Sequence, residues 1–312
     1  MLQTIDVSQP SKSIKEQLLK ASTEQGFLYV KGHGISQELI DKIFALSKSF
    51  FSLEEPLKTK YAIKDNIGYT SLSQEQLDIK KSKDYKEAYN FGKINCNTGD
   101  FPKDLHPAIF QQNYKIVQET NKLLYCVAQK LFFHLLSALE IDEATIDSQK
   151  DCFDGETNTV LRFLKYPNIR DVKESLNNDI RAGAHTDYGL MAMLFQQKGQ
   201  EGLQLDINDN DEWVSVPYMP SDNPDIEGAP LVINFGDMLQ FWTNDLIKST
   251  THRVVVPETR FKDRYSIVCF VHPVIETSLR AWKSKYINHS SESITSLNAG
   301  EYLLKRLKET YK

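Results

Sequence analysis

Cysteine is scarce in this chain of 312 residues, and the four cysteines lie far apart in sequence. They are Cys96, Cys126, Cys152 and Cys269, and no two of them form a C-x-x-C pair. Disulfide frameworks are typical of short, cysteine-rich secreted chains, and structural zinc sites usually take closely spaced pairs. We therefore expect the cysteines to be reduced packing residues.

Long runs of one chemical character are also missing. Lys and Arg number 37 against 42 Asp and Glu, a formal net charge of -5, and no basic cluster resembles a nucleic-acid-binding stripe. No apolar stretch is long enough to span a bilayer, and residues 1–17 lack the apolar core of a secretion signal. We expect a cytosolic monomer that binds a small molecule, with no nucleic-acid or membrane partner.

The first half of the chain predicts alternating strands and helices. The composition, 40% hydrophobic and 25% charged, allows a large core in one or two domains. Residues 27–30 predict a buried strand, and Ser36 is a helix N-cap before Leu39, Ile43, Leu46 and Phe50 at helical spacing. Residues 58–103 are polar and weakly periodic, which favours a long loop region with short ordered pieces, and 107–140 predict a long helix.

The second half predicts many short strands separated by turns. Such a pattern is typical of a sandwich or jelly roll, so the fold class is α+β, mainly β. A terminal helix is predicted at 297–307. The chain divides into an N-terminal region (1–105), a backing helix (106–150), a β core (151–280) and a C-terminal helical segment (281–312). The predicted strands are 159–166, 189–196, 203–207, 213–217, 231–235, 238–242, 252–256 and 265–272.

Three residues in this half have the chemistry of a metal site. His185 and Asp187 flank Thr186, and on a strand residues two apart point to the same face. With His252, at the start of a predicted strand, they make the two-histidine, one-carboxylate set that holds non-haem Fe(II) with open positions. The alternative is a surface turn with an unrelated strand-end histidine. His272, which precedes Pro273, is a weaker candidate for the third ligand.

A second pair suits a carboxylate. Arg264 and Ser266 share one face at the start of an apolar strand, so a guanidinium and a hydroxyl can hold one anionic group.

With these motifs in order, the chain resembles the Fe(II)- and 2-oxoglutarate-dependent dioxygenases of the isopenicillin N synthase-like group. The likeness extends over residues 26–35, 161–167, 185–187, 202–204, 234–237, 252–254 and 264–266. It implies a double-stranded β-helix core, with Fe(II) held by His185, Asp187 and His252. The co-substrates would be O2 and 2-oxoglutarate, whose distal carboxylate would lie on Arg264 and Ser266.

Two family features bear on the co-substrate. Tyr166 matches a tyrosine that often helps to bind the distal carboxylate, whereas Leu164 stands where several plant members have Asn. Members that do not consume 2-oxoglutarate also carry the Arg-x-Ser pair. The resemblance therefore predicts a dioxygenase that hydroxylates or desaturates a small molecule and releases succinate and CO2. A related oxidase without 2-oxoglutarate and a non-catalytic binding protein remain alternatives.

Substrate contacts are harder to predict from sequence. Arg162 shares a strand face with Tyr166 and could meet an anionic substrate, although an ion pair within the fold would explain it equally well. Tyr188, Phe195, Phe241 and Trp242 are candidates for the pocket walls, with core packing as the alternative for each.

Overall fold

Two β-sheets form the centre of the fold in a computed structural model of the chain. The structure describes residues 2–78, 83–150 (147–150 by backbone alone), 157, 159–168, 180–256, 262–288 and 297–310. The strands are β1 (Gln3–Asp6), β2 (Phe27–Lys31), β3 (Gly68–Thr70), β4 (Glu87–Phe91), β5 (Val160–Tyr166), β6 (Ile180–His185), β7 (Met191–Phe195), β8 (Leu203–Asp206), β9 (Trp213–Ser215), β10 (Leu231–Phe235), β11 (Thr251–Val255) and β12 (Arg264–Val271).

The larger sheet has eight strands and the smaller has four. Their orders are β1-β2-β10-β7-β12-β5-β4-β3 and β6-β11-β8-β9. Neighbouring strands run antiparallel except for β1 and β2, which are parallel. The predicted jelly-roll class, mainly β with helices, is confirmed. Strands β1 to β4 belong to the larger sheet, so the N-terminal region and the β core share it; the four-segment division stays a prediction.

Helices cover one face of the larger sheet. They are α1 (Ser11–Glu24), α2 (Gln37–Phe51), α3 (Glu55–Thr59), α4 (Ala108–Gln112), α5 (Tyr114–Ala138), α6 (Glu143–Lys150), α7 (Asp237–Trp242) and α8 (Ala299–Thr310), with a 3-10 turn at Lys103–Leu105. Along β12, Ile267, Cys269 and Val271 pack into the core beneath the helices. Val268 and Phe270, which alternate with them, face the space between the sheets. The helices therefore support one side of the sheet, and the site lies on its other side, which the end of α8 also reaches.

Several predicted elements differ from the structure. The long helix is interrupted at Asn113, which separates α4 from α5, and residues 238–242 are helix α7 instead of a strand. Because Met238, Leu239 and Trp242 are buried at helical spacing, this short apolar run fits a helix face as well as a strand. The short ordered pieces expected within the loop region at 58–103 include the strands β3 and β4. The Ser36 prediction is confirmed, since its hydroxyl accepts a 3.2 Å hydrogen bond from Leu39 N.

The sequence predicted reduced cysteines and no membrane-spanning segment. Cys96, Cys126 and Cys269 are free thiols, whereas Cys152 lies outside the described residues. Among the described residues, no helix is both long and apolar enough to cross a bilayer.

Candidate metal and co-substrate site

Strand pairing brings the three candidate metal ligands together. His185 ends β6, His252 is the second residue of β11, and the two are directly opposite in the antiparallel ladder. Asp187 follows β6 in a turn. Its Oδ1 lies 3.9 Å from His185 Nε2, and its Oδ2 lies 3.8 Å from His252 Nε2. The three ligand atoms all lie within 4.8 Å of one another, so a single metal ion could contact all of them.

Backbone carbonyls orient both imidazoles. His185 Nδ1 lies 2.7 Å from Gly183 O, and His252 Nδ1 lies 3.1 Å from Thr250 O. Because a carbonyl only accepts, each Nδ1 must carry the proton, which leaves the Nε2 lone pairs pointing toward Asp187. Burial, aided by the nearby His252, lowers the pKa of His185 to about 3. His185 is therefore neutral near pH 7, as a metal ligand must be.

Strand β10 orients the carboxylate. Asn234 Nδ2 donates a 2.7 Å hydrogen bond to Asp187 Oδ2, and Asp237 N donates a 2.8 Å bond to the backbone oxygen of Asp187. One carboxylate oxygen is thus held by an amide while the other remains available on the histidine side. Two oriented imidazoles and one oriented carboxylate fit Fe(II) in a facial arrangement.

His272 does not join the cluster. Among the described residues, the group that could hold a metal consists of His185, Asp187 and His252 alone. His272 lines the same cavity from the end of β12. Burial lowers its pKa to about 4, so its ring is neutral.

The candidate carboxylate site lies on β12 in the same cavity. Arg264 is 5% exposed, and its Nη1 donates a 3.2 Å hydrogen bond to Ser266 Oγ. Its Nε donates to the carbonyls of Gln200 (2.8 Å) and Glu201 (3.2 Å). The Tyr166 ring lies opposite on β5, 4.9 Å from the guanidinium carbon. These hydrogen bonds all go to uncharged groups, so the buried positive charge is suited to an anionic ligand.

One cavity of about 150 Å³ joins the two sites. The metal ligands, Arg264, Ser266 and Tyr166 all line it, as do Arg162 and Tyr188 among the candidates for substrate contact. This volume suits small molecules, and the mixture of apolar walls with a few convergent polar groups is typical of ligand sites.

Three aromatic candidates lie elsewhere, which corrects the expectation for them. Phe195 belongs to the core on the helix side of the larger sheet, because it follows Leu194, which faces the cavity. Trp242 is fully buried beneath α5 and stacks on Trp282 at 4.6 Å. Phe241 packs edge-on against Tyr302 at 5.1 Å. These three aromatic residues therefore pack in the core, which was the alternative to a place in the cavity wall.

Several cavity residues were not found from sequence. Asn234 lies in 234–237, one of the segments that resemble the family, but the sequence predicted no role for it. Glu75, Lys86 and Asn90 also line the cavity, and they come from the segment predicted to be a loop. Leu307 and Thr310 reach it from α8.

Family comparisons agree with the geometry. Residues 2–109 match the model of the non-haem dioxygenase in morphine synthesis N-terminal family, and residues 156–273 match that of the 2OG-Fe(II) oxygenase superfamily. The chain is 32% identical to UPF0676 protein C1494.01 of Schizosaccharomyces pombe, covering 98% of this chain and 92% of that protein. It is 30% identical to a homoarginine-6-hydroxylase of Oryza sativa subsp. japonica, covering 82% and 79%.

A solved structure extends the likeness to the whole fold. The full-length protein of Neurospora crassa in complex with alpha-KG and thymine superposes with a TM-score of 0.80 at 26% identity, covering 99% of this chain and 96% of that one. With the metal and carboxylate sites in one jelly-roll cavity, the chain belongs to the Fe(II)- and 2-oxoglutarate-dependent dioxygenases of the isopenicillin N synthase-like group.

Proposed function

We propose that the chain hydroxylates an unactivated carbon of a small, nitrogen-containing metabolite. In this proposal His185, Asp187 and His252 hold Fe(II). Arg264, Ser266 and Tyr166 bind the distal carboxylate of 2-oxoglutarate. The observation that carries the proposal is the presence of a three-ligand cluster and a buried cation in one cavity.

The reaction of the family balances without a further reductant. Bound Fe(II) supplies the capacity to activate O2. One oxygen atom enters succinate as 2-oxoglutarate loses CO2, and the other enters the substrate as a C–H bond becomes C–OH. The four electrons taken up by O2 come two from 2-oxoglutarate and two from the substrate.

The chain's own residues orient the reactants. Gly183 O and Thr250 O hold the two imidazoles, and Asn234 holds Asp187, so the ligand set is organised before substrate binds. Arg264 and Ser266 lie two residues apart on one strand face, which directs a dicarboxylate along β12 toward the ligands. The apolar side chains of Leu164, Leu203 and Val254 line the same cavity, so part of its wall is apolar.

The relatives' names support a nitrogen-containing substrate. Homoarginine is the substrate named for the rice relative, and thymine is bound to the Neurospora crassa protein. Both are small molecules that carry several nitrogen atoms, and the cavity residues Glu75, Arg162 and Asn90 offer matching polar groups.

The proposed function is tested with purified protein loaded with Fe(II) and supplied with 2-oxoglutarate under air. We expect slow conversion to succinate without a second substrate and faster conversion with the right one. His185→Ala, which removes one ligand, should give no succinate above background. Oxygen consumption that is indifferent to 2-oxoglutarate would point to the related oxidase. Complete absence of iron-dependent oxygen chemistry would point to the binding protein.

A monomeric state and a cytosolic location are also part of the proposal. The free thiols of Cys96, Cys126 and Cys269 are consistent with a reducing compartment. Light scattering coupled to gel filtration tests the first point. Imaging of the tagged protein in its native cell tests the second.

A further inference from the structure

Four polar side chains form one wall of the cavity. This polar wall consists of Glu75, Lys86, Asn90 and Arg162, all of which line the cavity. Glu75 is 2% exposed and makes a salt bridge with Arg162 Nη2. Lys86 Nζ lies 3.2 Å from Glu75 Oε2 and 2.8 Å from Asp84 Oδ2. Asn90 Nδ2 donates a 2.9 Å hydrogen bond to Asn66 Oδ1.

Hydrogen bonds connect the polar wall to the strand that carries His185. Asp84, which pairs with Lys86, accepts a 2.9 Å hydrogen bond from Gly183 N through its Oδ1. Gly183 O is the carbonyl that orients His185. The polar wall and the metal ligands line the same cavity, so a small molecule held on the wall would lie beside the metal site.

The ion pairs in the described part of the wall join charges of both signs. Lys86 and Arg162 supply cations, and Glu75 and Asp84 supply anions. Burial pulls the pKa of Lys86 down, but the carboxylates of Asp84 and Glu75 outweigh it and raise the pKa above its ordinary value. Lys86 is thus charged. A zwitterion brings one charge of each sign, so it would exchange ion pairs with the wall and leave neither of its own charges buried without a partner.

On two of the residues that line the cavity, Asn90 and His272, a buried polar atom has no hydrogen-bond partner among the described residues. One is Asn90 Oδ1, and the residue is 1% exposed. The other is Nδ1 of His272, which is 5% exposed. Buried polar atoms are nearly always hydrogen-bonded in native proteins, so each of these calls for a partner from a ligand or water. Asn90 Oδ1 can only accept, so it calls for an N–H or O–H group.

We propose that the polar wall binds the substrate to be oxidised, and that this substrate is a free amino acid or a similar small zwitterion. Its ammonium or other cationic nitrogen group is bound by Glu75 and Asn90 Oδ1, and its carboxylate by Arg162 and Lys86. The inference rests on the proposed function and names the substrate class for the same site. The walls formed by Tyr188, Phe270 and Leu307 receive the apolar part of the molecule.

The test measures binding apart from turnover. The protein is loaded with Mn(II) and 2-oxoglutarate without oxygen, and calorimetry follows the addition of single compounds. The panel contains the protein amino acids and homoarginine, their N-acetyl and methyl-ester forms, and the uncharged rings thymine and uracil. We expect at least one zwitterion to bind and, in the Fe(II) enzyme under air, to accelerate succinate formation. Blocking either charged end should weaken binding at least about tenfold, the effect of losing one charge-assisted hydrogen bond.

Matched variants assign the effect to the wall. Glu75→Gln and Arg162→Gln should each weaken binding of the zwitterion at least about tenfold and leave the KM for 2-oxoglutarate unchanged. Glu87→Gln is the control, because Glu87 is also buried but pairs with Lys58 and Tyr69 instead of lining the cavity. It should leave zwitterion binding unchanged, and thermal unfolding checks that every variant is folded.

Three results would overturn the inference. The first is that thymine or uracil binds and no amino acid does. The second is that a zwitterion and its blocked forms bind with equal affinity, and the third is that no compound in the panel binds. The proposed function has a separate readout, since slow iron-dependent conversion of 2-oxoglutarate without a second substrate does not depend on the wall. If the wild-type protein loaded with Fe(II) shows no such background conversion, the result counts against the dioxygenase reaction itself.

Discussion

Tyr188, the residue after the candidate metal ligand Asp187, shares a 2.6 Å hydrogen bond with Thr310 in the last turn of α8. The same tyrosine ring lies 4.1 Å from the guanidinium carbon of Arg306. Arg306 in turn makes a salt bridge with Asp237, which also accepts a 2.5 Å hydrogen bond from Tyr302. The C-terminal helix is thus attached to the segment that carries the metal ligand.

Breaking this attachment should loosen α8 over the cavity. Arg306→Ala removes the ion pair with Asp237 and the contact with Tyr188, so we expect faster proteolysis and hydrogen exchange at residues 299–310. The KM for the second substrate should rise several-fold, because Leu307 and Thr310 line the cavity. Lys305→Ala, on an exposed position of the same helix, is the control. Unchanged exchange in Arg306→Ala would show that other contacts hold α8.

Removing the hydrogen bond to Asp187 should weaken metal binding. In Asn234→Ala the carboxylate loses its 2.7 Å donor, and loss of such a supporting contact typically costs roughly 10- to 100-fold in metal affinity. Titration of the apoprotein with Mn(II) measures the effect. Asn121→Ala, at a buried asparagine that donates to Gly99 O beside α5, should leave Mn(II) affinity unchanged. Equal affinities for the two variants would refute the orienting role of Asn234.

Arg264 should determine the affinity for 2-oxoglutarate. Arg264→Lys keeps the charge but loses the planar fork, so the KM for 2-oxoglutarate should rise at least about tenfold. Ser266→Ala should raise it less, because it removes a single neutral hydroxyl. Succinate formation at varied 2-oxoglutarate concentrations measures both changes. If Arg264→Lys instead changed only the KM of the second substrate, the distal carboxylate would have to bind elsewhere.

Sequence predicted the grouping of His185, Asp187 and His252 because few residue types can ligate iron and strand alternation restricts their spacing. Arg264 and Ser266 followed the same logic on one strand face. The fold class was predictable because each short strand carries its own apolar pattern. For these features the local sequence contains most of the necessary information.

The polar wall was not predictable, because no local sequence pattern marks its residues. Glu75 and Lys86 lie in a polar segment without periodicity, outside the strands, and only the folded structure brings them into ion pairs with each other and with Arg162. The pocket roles expected of Phe195 and Trp242 also differ from the structure. An aromatic residue is suited to either face of a sheet, so sequence alone could not tell whether Phe195 faces the cavity or the helices. Trp242 belongs to helix α7 instead of a strand, so strand alternation did not apply to it.

His106 should make stability depend on pH away from the candidate active site. Its ring is fully buried, its Nδ1 lies 2.8 Å from Tyr89 Oη, and burial lowers its pKa to about 4. The unfolded chain takes up the proton near its ordinary pKa of 6.5, so this contribution is intact above pH 6.5 and is lost as the pH falls toward 4. The shift corresponds to about 3 kcal/mol at most. Urea unfolding of wild type and His106→Gln between pH 4.5 and 7.5 isolates it, because other acidic titrations are common to both. The stability difference should shrink as the pH falls, and a constant difference would mean that His106 is protonated equally in both states.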